Sequence, residues 1–490
     1  MKVSPHPDWA TSHRKPGTEL RLIKGKYYLY AVSSRYNPEK KKPQKITGKL
    51  LGRITQADGF IESDKNKLRQ NAQNQAHGVS NKPIAVRELG FSKIIIALAV
   101  PVISKLKEVF PNDWALMLSI AYCRLGWQAP IKNIPFLIEQ SHLRDWAGLS
   151  SFGEKIISDA LRRWGSSRPA IVQYMNSFMQ EGDFALIDAT EIASKSSNIS
   201  LVEKGYNSRL DYQPQVNLLY LYSLDNSMPV FYRLLGGNIR EIKALKNTLL
   251  ESKLNKAILI ADKGFFSAQN IKDLIEYELN FIIPVRRNNS AIPYNNLEKI
   301  EKTDSYFKYQ ERYIYHYNFE HEGLNYITFM DGRLKEEEKT DYLNRIKTLP
   351  EKYTAEKFKE KLDRMGTVTM TYKLEEKNST AENVYLTYKS RGQIEQMFDG
   401  LKNTIDAGSS YMQNEDALQG WMFINHLALQ LYYLIQKQLM EAKQNSKLSI
   451  KDVVLKSQRW TELKIEDKWI PAEATLQSLK ILKSMGVHIT

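Results

Sequence analysis

Four polar residues within one short stretch, YKSRGQIEQMFDGLK, constrain the fold of this chain more than any other feature. They are Tyr388, Arg391, Glu395 and Lys402. On an α-helix that advances about 100° per residue, all four fall within about 60° of arc. The spacing therefore predicts an amphipathic helix on which one carboxylate shares a face with two cations and a phenol.

A simpler interpretation exists for two of these residues. Arg391 and Glu395 are four positions apart, so they can form an ion pair along one helix. Both interpretations stay open, because such a pair can hold in the free protein and open when a ligand binds. Gly392 follows Arg391 and costs about 1 kcal/mol inside a helix. It indicates either a bend or the close approach of another backbone.

Two aspartates upstream each follow a short apolar run. Asp188 comes after residues 184–187, and Asp262 comes after residues 257–261. Such runs predict strands of a sheet that is covered on both faces, with an aspartate at the end of each strand. A carboxylate there is costly to desolvate unless a cation binds it. Either aspartate alone equally fits a turn or a helix cap, but their order before Glu395 favours a catalytic trio.

This arrangement resembles the signature of bacterial insertion-sequence transposases, the YREK (insertion sequence 4-like) group of the DDE, RNase H-like superfamily. The stretch between the two aspartates adds to the resemblance. It contains Thr190, then Gly205-Tyr206, Pro214-Gln215-Val216 and Gly237-Asn238 at positions typical of the family. Two apolar strands joined at residues 225–227 predict a β-hairpin there.

The resemblance implies an α/β fold, in which an RNase H-like catalytic core, a mixed sheet flanked by helices, is interrupted by a β-rich insertion. A helical N-terminal region and a small basic β-hairpin precede that core. The predicted segments are a basic β-hairpin arm (1–60), a polar linker (61–90), a helical DNA-binding region (91–180), the first part of the core (181–287), the β-rich insertion (288–382), the second part of the core with the YREK helix (383–440) and a helical C-terminal tail (441–490).

The resemblance also implies the chemistry. Asp188, Asp262 and Glu395 would be the catalytic carboxylates and would hold two Mg²⁺ ions, for which Mn²⁺ can substitute. Tyr388, Arg391 and Lys402 would hold phosphates of the cleaved strand. The expected activity is cut-and-paste movement of an insertion sequence by strand cleavage and strand transfer at terminal inverted repeats. The expected partners are double-stranded DNA, at the element ends and the target, and a second copy of the chain.

The charge of the chain agrees with a polyanionic partner. Its formal net charge is +15 and its pI is near 9.3, and a chain this basic most often binds DNA. Lys41 and Lys42 in the N-terminal hairpin, and Arg286 and Arg287 at a strand end, are candidate phosphate contacts. The lysines equally fit a charged strand edge that resists aggregation, and the two interpretations stay open.

Other functions remain to be separated from transposition. An RNase H-like nuclease would carry the same carboxylates, and a decayed transposase would keep only DNA binding. The N-terminus does not resemble a signal peptide, and the longest apolar run is too short to span a bilayer. We therefore expect a cytoplasmic, nucleoid-associated protein with no membrane partner.

Overall fold

A computed structural model gives the fold of most of the chain. It describes residues 6–37, 41–63, 85–179, 185–206, 211–237, 242–252, 257–261, 263, 265–297, 305–375, 378–465 and 467–487. Asp262 lies outside these residues, as does most of the polar stretch predicted as a linker. The chain separates into two compact units, Met1–Ala85 and Val86–Thr490.

The N-terminal unit is a small antiparallel sheet with one short helix. Its elements are α1 (Asp8–Thr11), β1 (Thr18–Ile23), β2 (Lys26–Asn37), β3 (Lys42–Thr55) and β4 (Gly59–Glu62), and the strands lie in the order β1-β2-β3-β4. The side chains of Ala10, Leu20, Leu29 and Ile54 form its core. β2 and β3 are the longest strands and pair with each other beyond the ends of their neighbours.

A helical layer opens the second unit, as the apolar spacing over residues 91–180 predicts. After β5 (Val86–Glu88), its helices are α2 (Gly90–Leu98), α3 (Val100–Val109), α4 (Trp114–Trp127), α5 (Ile134–Glu139), α6 (His142–Trp146), α7 (Glu154–Ser166) and α8 (Arg168–Asn176). α4 is buried along most of its length because its sequence is apolar on nearly every side.

A mixed sheet forms the centre of this unit. Its first part contains β6 (Ala185–Ser194), β7 (Glu203–Tyr206), β8 (Tyr212–Ser223), β9 (Met228–Gly236), β10 (Ala257–Ile260) and β11 (Asn280–Val285), with the helices α9 (Ile242–Ser252) and α10 (Ala268–Glu276). These strands lie in the order β11-β10-β6-β8, and both β7 and β9 pair with β8. β6, β10 and β11 are parallel, whereas β8 runs antiparallel to β6.

The predicted insertion continues this same sheet. It contains α11 (Tyr294–Leu297), β12 (Tyr306–Tyr309), β13 (Arg312–His321), β14 (Leu324–Asp331), α12 (Gly332–Thr348), α13 (Ala355–Lys361) and β15 (Thr367–Lys373). β15 pairs with β11 on one side and with β14 on the other. The insertion is therefore joined to the core by backbone hydrogen bonds, and its strands and helices extend the core instead of forming a separate sheet.

The last part of the chain returns to the sheet and then covers it. Its elements are α14 (Ala381–Lys389), α15 (Arg391–Asp399), a π-helical turn (Gly400–Thr404), β16 (Ser409–Ser410), α16 (Glu415–Glu441), α17 (Ile450–Ser457), β17 (Thr461–Ile465), β18 (Lys468–Pro471) and α18 (Leu476–Ser484). β16 pairs in parallel with the end of β6. α16 is buried along its first two thirds, with residues 420–431 all buried, and it packs against α4, α7 and β9.

Two glycines set how closely α7 and α16 approach each other. A Cβ atom on Gly420 would lie 2.1 Å from the Leu161 carbonyl oxygen, and one on Gly165 would lie 1.7 Å from the Asp416 carbonyl oxygen. Any larger residue would push the helices apart, so both glycines fix α16 against the N-terminal helices.

The secondary structure differs from the prediction in two segments, the C-terminal tail and the linker. The C-terminal tail is not wholly helical, because β17 and β18 form a hairpin that pairs with β5. Arg87 of β5 stacks 3.8 Å above the Trp469 ring and forms an ion pair with Glu462, which ties the two ends of the unit together. The predicted linker is accordingly shorter, since Val86–Glu88 is a strand of that sheet.

No helix in the described part of the chain is both long enough and apolar enough to cross a membrane.

Candidate active site

Asp188 lies inside β6, so the prediction that it ends its strand is wrong. β10 pairs with β6 only as far as Ile187, whereas β8 continues to pair with β6 as far as Ala193. The apolar run therefore marks the end of the pairing with β10 and not the end of the strand. Asp188 is partly exposed at this transition, and its Oδ1 accepts a hydrogen bond of 2.8 Å from the Ala189 amide.

The face of the sheet on which Asp188 lies follows from its partner on β8. Asp188 pairs directly with Tyr220, and directly paired residues project to the same face. Tyr220 is fully buried, and its ring centroid lies 6.4 Å from that of Phe398 on α15. α15 also packs against β6. Asp188 therefore lies on the face of the sheet that is covered by the helix carrying Glu395.

Asp262, the second predicted aspartate, lies outside the described residues. The described strand before it, β10, is buried and is the parallel neighbour of β6. The last pair that joins the two strands, Ile187 with Leu259, is one residue before Asp188 and three residues before Asp262. Its place in the site stays a prediction.

The predicted single helical face is wrong, because Tyr388, Arg391, Glu395 and Lys402 belong to three helical segments. Tyr388 is in α14, Arg391 and Glu395 are in α15, and Lys402 is in the π-helical turn. The break between the two α-helices lies at Ser390, whose hydroxyl donates to the Leu386 carbonyl oxygen at 3.0 Å. A serine that bonds back to its own helix in this way commonly bends it.

The π-helical turn changes the direction in which Lys402 projects. The Ile405 amide donates to the carbonyl oxygen of Gly400, five residues back, at 3.0 Å. The wider turn moves Lys402 away from the α-helical face that the sequence predicts for it. Lys402 Nζ instead lies 2.8 Å from Glu191 Oε1 on β6, three residues after Asp188.

Glu191 is a site residue that the sequence interpretation missed. The only signal for it is an acidic residue shortly after Asp188 in DATEI, and that signal is weak because the chain has 55 acidic residues. Both partners of the ion pair are largely shielded, with 25% of the Lys402 side chain and 18% of the Glu191 side chain exposed. The pair holds the segment after α15 against the strand of Asp188.

Arg391 and Glu395 form the ion pair that their spacing allows. Arg391 Nη2 lies 3.2 Å from Glu395 Oε1, and the glutamate side chain is 57% exposed. The Nε atom of Arg391 is buried and has no hydrogen-bond partner in the described structure. This buried Nε is out of reach of a ligand, whereas the guanidinium nitrogen that pairs with the exposed Glu395 carboxylate belongs to a side chain that is 25% exposed.

A cavity of about 1050 Å³ lies beside Arg391 and Tyr388. Its charged and tyrosine lining consists of the cations Lys263, Arg286, Arg287, Arg345, Lys361, Arg364 and Arg391, the carboxylates Glu338 and Asp341, and the phenols Tyr342, Tyr353 and Tyr388. Seven cations face two carboxylates, so the lining carries a strong positive surplus. Aromatic and basic side chains together suit a ligand with phosphates and bases.

Besides Arg391, the two arginines predicted as DNA contacts at the end of β11 also line this cavity, but they differ in their bonding. Arg287 makes two hydrogen bonds of 2.9 Å to Glu338, and its Nε donates to the Thr367 carbonyl oxygen. It therefore joins β11 to the insertion. Arg286 is exposed on the same strand end. Lys41 and Lys42 lie in the N-terminal unit, where both side chains are exposed.

His426 is a packing residue beneath the site. It is fully buried in α16, and its Nδ1 lies 2.9 Å from the Tyr220 hydroxyl. Burial, and secondarily the charge of Arg168, lowers the pKa of His426 to about 3. The ring is therefore neutral at physiological pH and supports the tyrosine that pairs with Asp188.

The described residues contain no group of three His, Cys, Asp or Glu side chains that is placed to hold a metal ion. Asp262 is not among these residues. The two described carboxylates, Asp188 and Glu395, are oxygen donors of the type that Mg²⁺ prefers.

Comparison with known proteins found a weak similarity to solved structures and a family match. One of the matched structures is a piggyBac transposase synaptic complex with hairpin DNA, with a TM-score of 0.38 and 11% sequence identity over 75% of this chain and 78% of that chain. No curated protein sequence matches the chain significantly.

The family match concerns the part of the chain that forms the mixed sheet and its covering helix. The model described as the transposase DDE domain matches residues 180–431, just over half of the chain. The matched segment begins before β6 and ends within α16, so it includes Asp188, Asp262, Glu395 and Lys402. The family expected from the sequence motifs is thereby confirmed at this level: the chain belongs to the transposases with a DDE domain.

Proposed function

We propose that this protein is a cut-and-paste DNA transposase of the YREK (insertion sequence 4-like) group. In this proposal it moves an insertion sequence by cleaving DNA at the terminal inverted repeats and joining the ends to target DNA, working as a homodimer. The observation that carries the proposal is the packing of α15, with the Arg391–Glu395 pair, against β6, with Asp188.

The strand arrangement supports an RNase H-like core. Such a core begins with a strand that carries the first aspartate and continues into a hairpin. β6 carries Asp188, and the hairpin of β8 and β9 follows it in sequence and lies beside it in the sheet. β10, the strand before Asp262, is the parallel neighbour of β6 on its other side. This order supports two aspartates on adjacent strands with the helix of Glu395 above them.

The carboxylates fit divalent metal ions of the hard class. Asp188, Asp262 and Glu395 would hold two Mg²⁺ ions, for which Mn²⁺ could substitute. Ions held there would supply an activated oxygen nucleophile and charge neutralisation at the phosphate. The protein residues supply the fixed positions: β6 and β10 are rigid strands, and α15 is packed on the sheet.

Arg391 is the residue best placed to hold the cleaved strand. Its side chain lines the cavity, and its guanidinium pairs with the exposed carboxylate of Glu395. A phosphate beside it would take the arginine as a partner and leave the Glu395 carboxylate available. Tyr388 and Arg286 line the same cavity and would bind neighbouring phosphates.

Each chemical step exchanges one phosphorus–oxygen bond for another. In the first step, water forms the new bond and the 3′-oxygen of the element end leaves. In later steps that 3′-hydroxyl attacks the opposite strand to form a hairpin, water opens the hairpin, and the 3′-hydroxyl then attacks target DNA. No external energy source is needed, because every bond broken is replaced by one of the same kind.

The test is excision of a marked element with its native ends. We expect wild-type protein to excise it and Glu395→Gln to lose excision at equal protein level. Glu382→Gln is the matched control, because Glu382 is an exposed glutamate on the neighbouring helix α14. Cleavage without joined donor–target DNA would make the protein a nuclease. End binding without any cleavage would make it a decayed transposase that only binds DNA.

A further inference from the structure

The distal halves of β2 and β3 form a ribbon of two strands. β1 pairs with β2 as far as Ala31, and β4 pairs with β3 only from Gly52. β2 and β3 continue as a pair from Val32 with Thr47 to Asn37 with Lys42. At about 3.4 Å per residue, these six pairs extend roughly 20 Å. Most of the ribbon side chains are exposed on both faces.

A β-bulge separates the ribbon from the packed half of the sheet. The pairing shifts between Tyr30 and Val32, where Gly48 approaches the opposite strand. A Cβ atom on Gly48 would lie 3.0 Å from the Ala31 carbonyl oxygen. A bulge increases the local twist and changes the direction of a strand pair. The ribbon therefore departs from the small core at a fixed point.

The ribbon carries charge of one sign. Residues 32–37 and 42–47 contain Arg35, Lys42 and Lys45 and no aspartate or glutamate. Lys41 and Lys49 adjoin these strands, and the connecting residues 38–40 contain Glu39 and Lys40. Lys45 Nζ lies 2.8 Å from a carboxylate oxygen of Glu19 on β1. The charge is complementary to a row of phosphates.

One face of the ribbon has the side-chain chemistry that distinguishes base edges. Arg35 pairs with Gln44, Asn37 pairs with Lys42, and Ser33 pairs with Ile46, so these six residues share a face. The Asn37 amide donates to the Gln44 amide oxygen at 3.0 Å, which orients both. Arginine suits guanine, the amides suit adenine, and an apolar side chain suits the thymine methyl group. Ile46 is 43% exposed although it is apolar.

We propose that the β2–β3 ribbon enters the major groove of duplex DNA with the Arg35–Gln44 face toward the bases. The major groove, about 12 Å wide, admits a two-stranded ribbon of this kind. The inference rests on the proposed function, which supplies DNA as the partner. A charged edge that only prevents aggregation does not explain an exposed isoleucine among one-signed charges.

The experiment measures binding of the full chain to a fluorescein-labelled mixed-sequence duplex over a potassium chloride series. Arg35→Gln/Lys42→Gln is compared with Lys24→Gln/Lys26→Gln, which removes two exposed charges from the β1–β2 turn of the same unit. We expect the ribbon variant to bind about tenfold more weakly near 200 mM salt, with a salt slope smaller by about 2. The control variant should retain wild-type binding, and the melting temperatures should agree.

A second probe identifies the groove. Replacing guanine by 7-deazaguanine removes an acceptor from the major groove alone. We expect this probe to weaken wild-type binding and to leave binding by the ribbon variant unchanged. The inference would be overturned if the control variant lost as much DNA affinity as the ribbon variant. It would also be overturned if wild-type protein bound the 7-deazaguanine duplex as tightly as the unmodified duplex. Altered self-association with unchanged DNA affinity would also overturn it and would assign the ribbon to contacts between copies.

The outcomes separate this inference from the proposed function. Ribbon-dependent DNA binding by a protein that never excises an element would contradict transposition and leave the inference standing. Conversely, excision of the element together with wild-type DNA affinity of the ribbon variant would leave the proposed function standing and overturn this inference.

Discussion

Lys402 Nζ lies 2.8 Å from Glu191 Oε1, and this ion pair joins the π-helical turn to the strand that carries Asp188 across 211 positions of sequence. Both side chains are mostly shielded from water. The pair therefore restrains the segment immediately after the Glu395 helix relative to β6. Lys402 is expected both to position that segment and, when DNA is bound, to neutralise a nearby phosphate.

Replacement of Lys402 by alanine should reduce excision strongly and lower stability moderately. Both side chains are mostly shielded from water, so removing the lysine leaves a largely desolvated Glu191 carboxylate and should cost about 1–3 kcal/mol. Excision of the marked element and the melting temperature check this expectation. Lys451→Ala is the control, because Lys451 Nζ bonds to the Asn403 carbonyl oxygen of the same turn at 3.2 Å. Wild-type excision by Lys402→Ala would contradict the assigned role.

Arg391→Lys should weaken DNA binding and excision while leaving the stability of the protein unchanged. Lysine keeps the positive charge beside Glu395, and an ion pair at this spacing contributes about 0.3–0.5 kcal/mol, so the melting temperature should hardly change. Lysine lacks the planar fork of arginine, so it binds a phosphate as a single point charge and not through two parallel hydrogen bonds. We expect weaker binding of element ends and at least tenfold less excision. Equal activity of Arg391→Lys would show that only the charge matters there.

The sequence predicts parts of this site well and others not at all. The apolar run before Asp188 predicts a buried strand, and β6 is that strand, but the pairing with β8 that extends β6 past the aspartate depends on residues far along the chain. The spacing from Tyr388 to Lys402 predicts helix. It cannot reveal the break at Ser390 or the π-helical turn, since both depend on single local hydrogen bonds.

Long-range pairing accounts for the remaining differences. Nothing near Lys402 in sequence indicates Glu191, and nothing in the alternating pattern of residues 367–373 indicates that β15 bonds to β11. The hairpin of β17 and β18 likewise depends on β5, which lies more than 370 residues earlier. The periodicity of apolar residues specifies which face of a helix or strand is buried, but it does not specify which other strand or helix pairs or packs with it.

The buried carboxyl group of Glu88 should make stability depend on pH. Burial raises its pKa to about 7, against hydrogen bonds from Tyr122, Ser92 and the Phe91 amide that favour the charged form. A raised pKa means that the folded state binds the proton more tightly than the unfolded state does. Glu88 therefore makes its full contribution to the free energy of unfolding below its unfolded-state pKa of about 4.5, and this contribution is lost as the pH rises to about 7. Its size is on the order of 3 kcal/mol.

The measurement is the melting temperature of wild type and Glu88→Gln from pH 5 to pH 8. Glu88→Gln should be less stable than wild type at pH 5, because the amide cannot accept all the same hydrogen bonds. The difference should shrink toward pH 8, since only wild type has a proton to lose. A difference that is constant over this range would show that Glu88 keeps one charge state in the folded protein.

Gly392→Ala should stabilise the protein and weaken its binding to DNA. Gly392 is the second residue of α15, and a Cβ atom there would meet no atom within 4 Å among the described residues. Alanine is therefore tolerated and should add up to about 1 kcal/mol of helix stability. The lack of a side chain beside Arg391 leaves room for a DNA backbone to approach closely, and a methyl group would obstruct it.

Melting temperature and end-binding affinity of Gly392→Ala are measured together, with Gln393→Ala as the control on the adjacent exposed position. A higher melting temperature with reduced binding would show that the glycine is kept for close contact at the expense of stability. Higher stability with full binding and excision would show that no backbone approaches α15 at this point, and the phosphate path past Arg391 would then have to run along the Tyr388 side of the cavity.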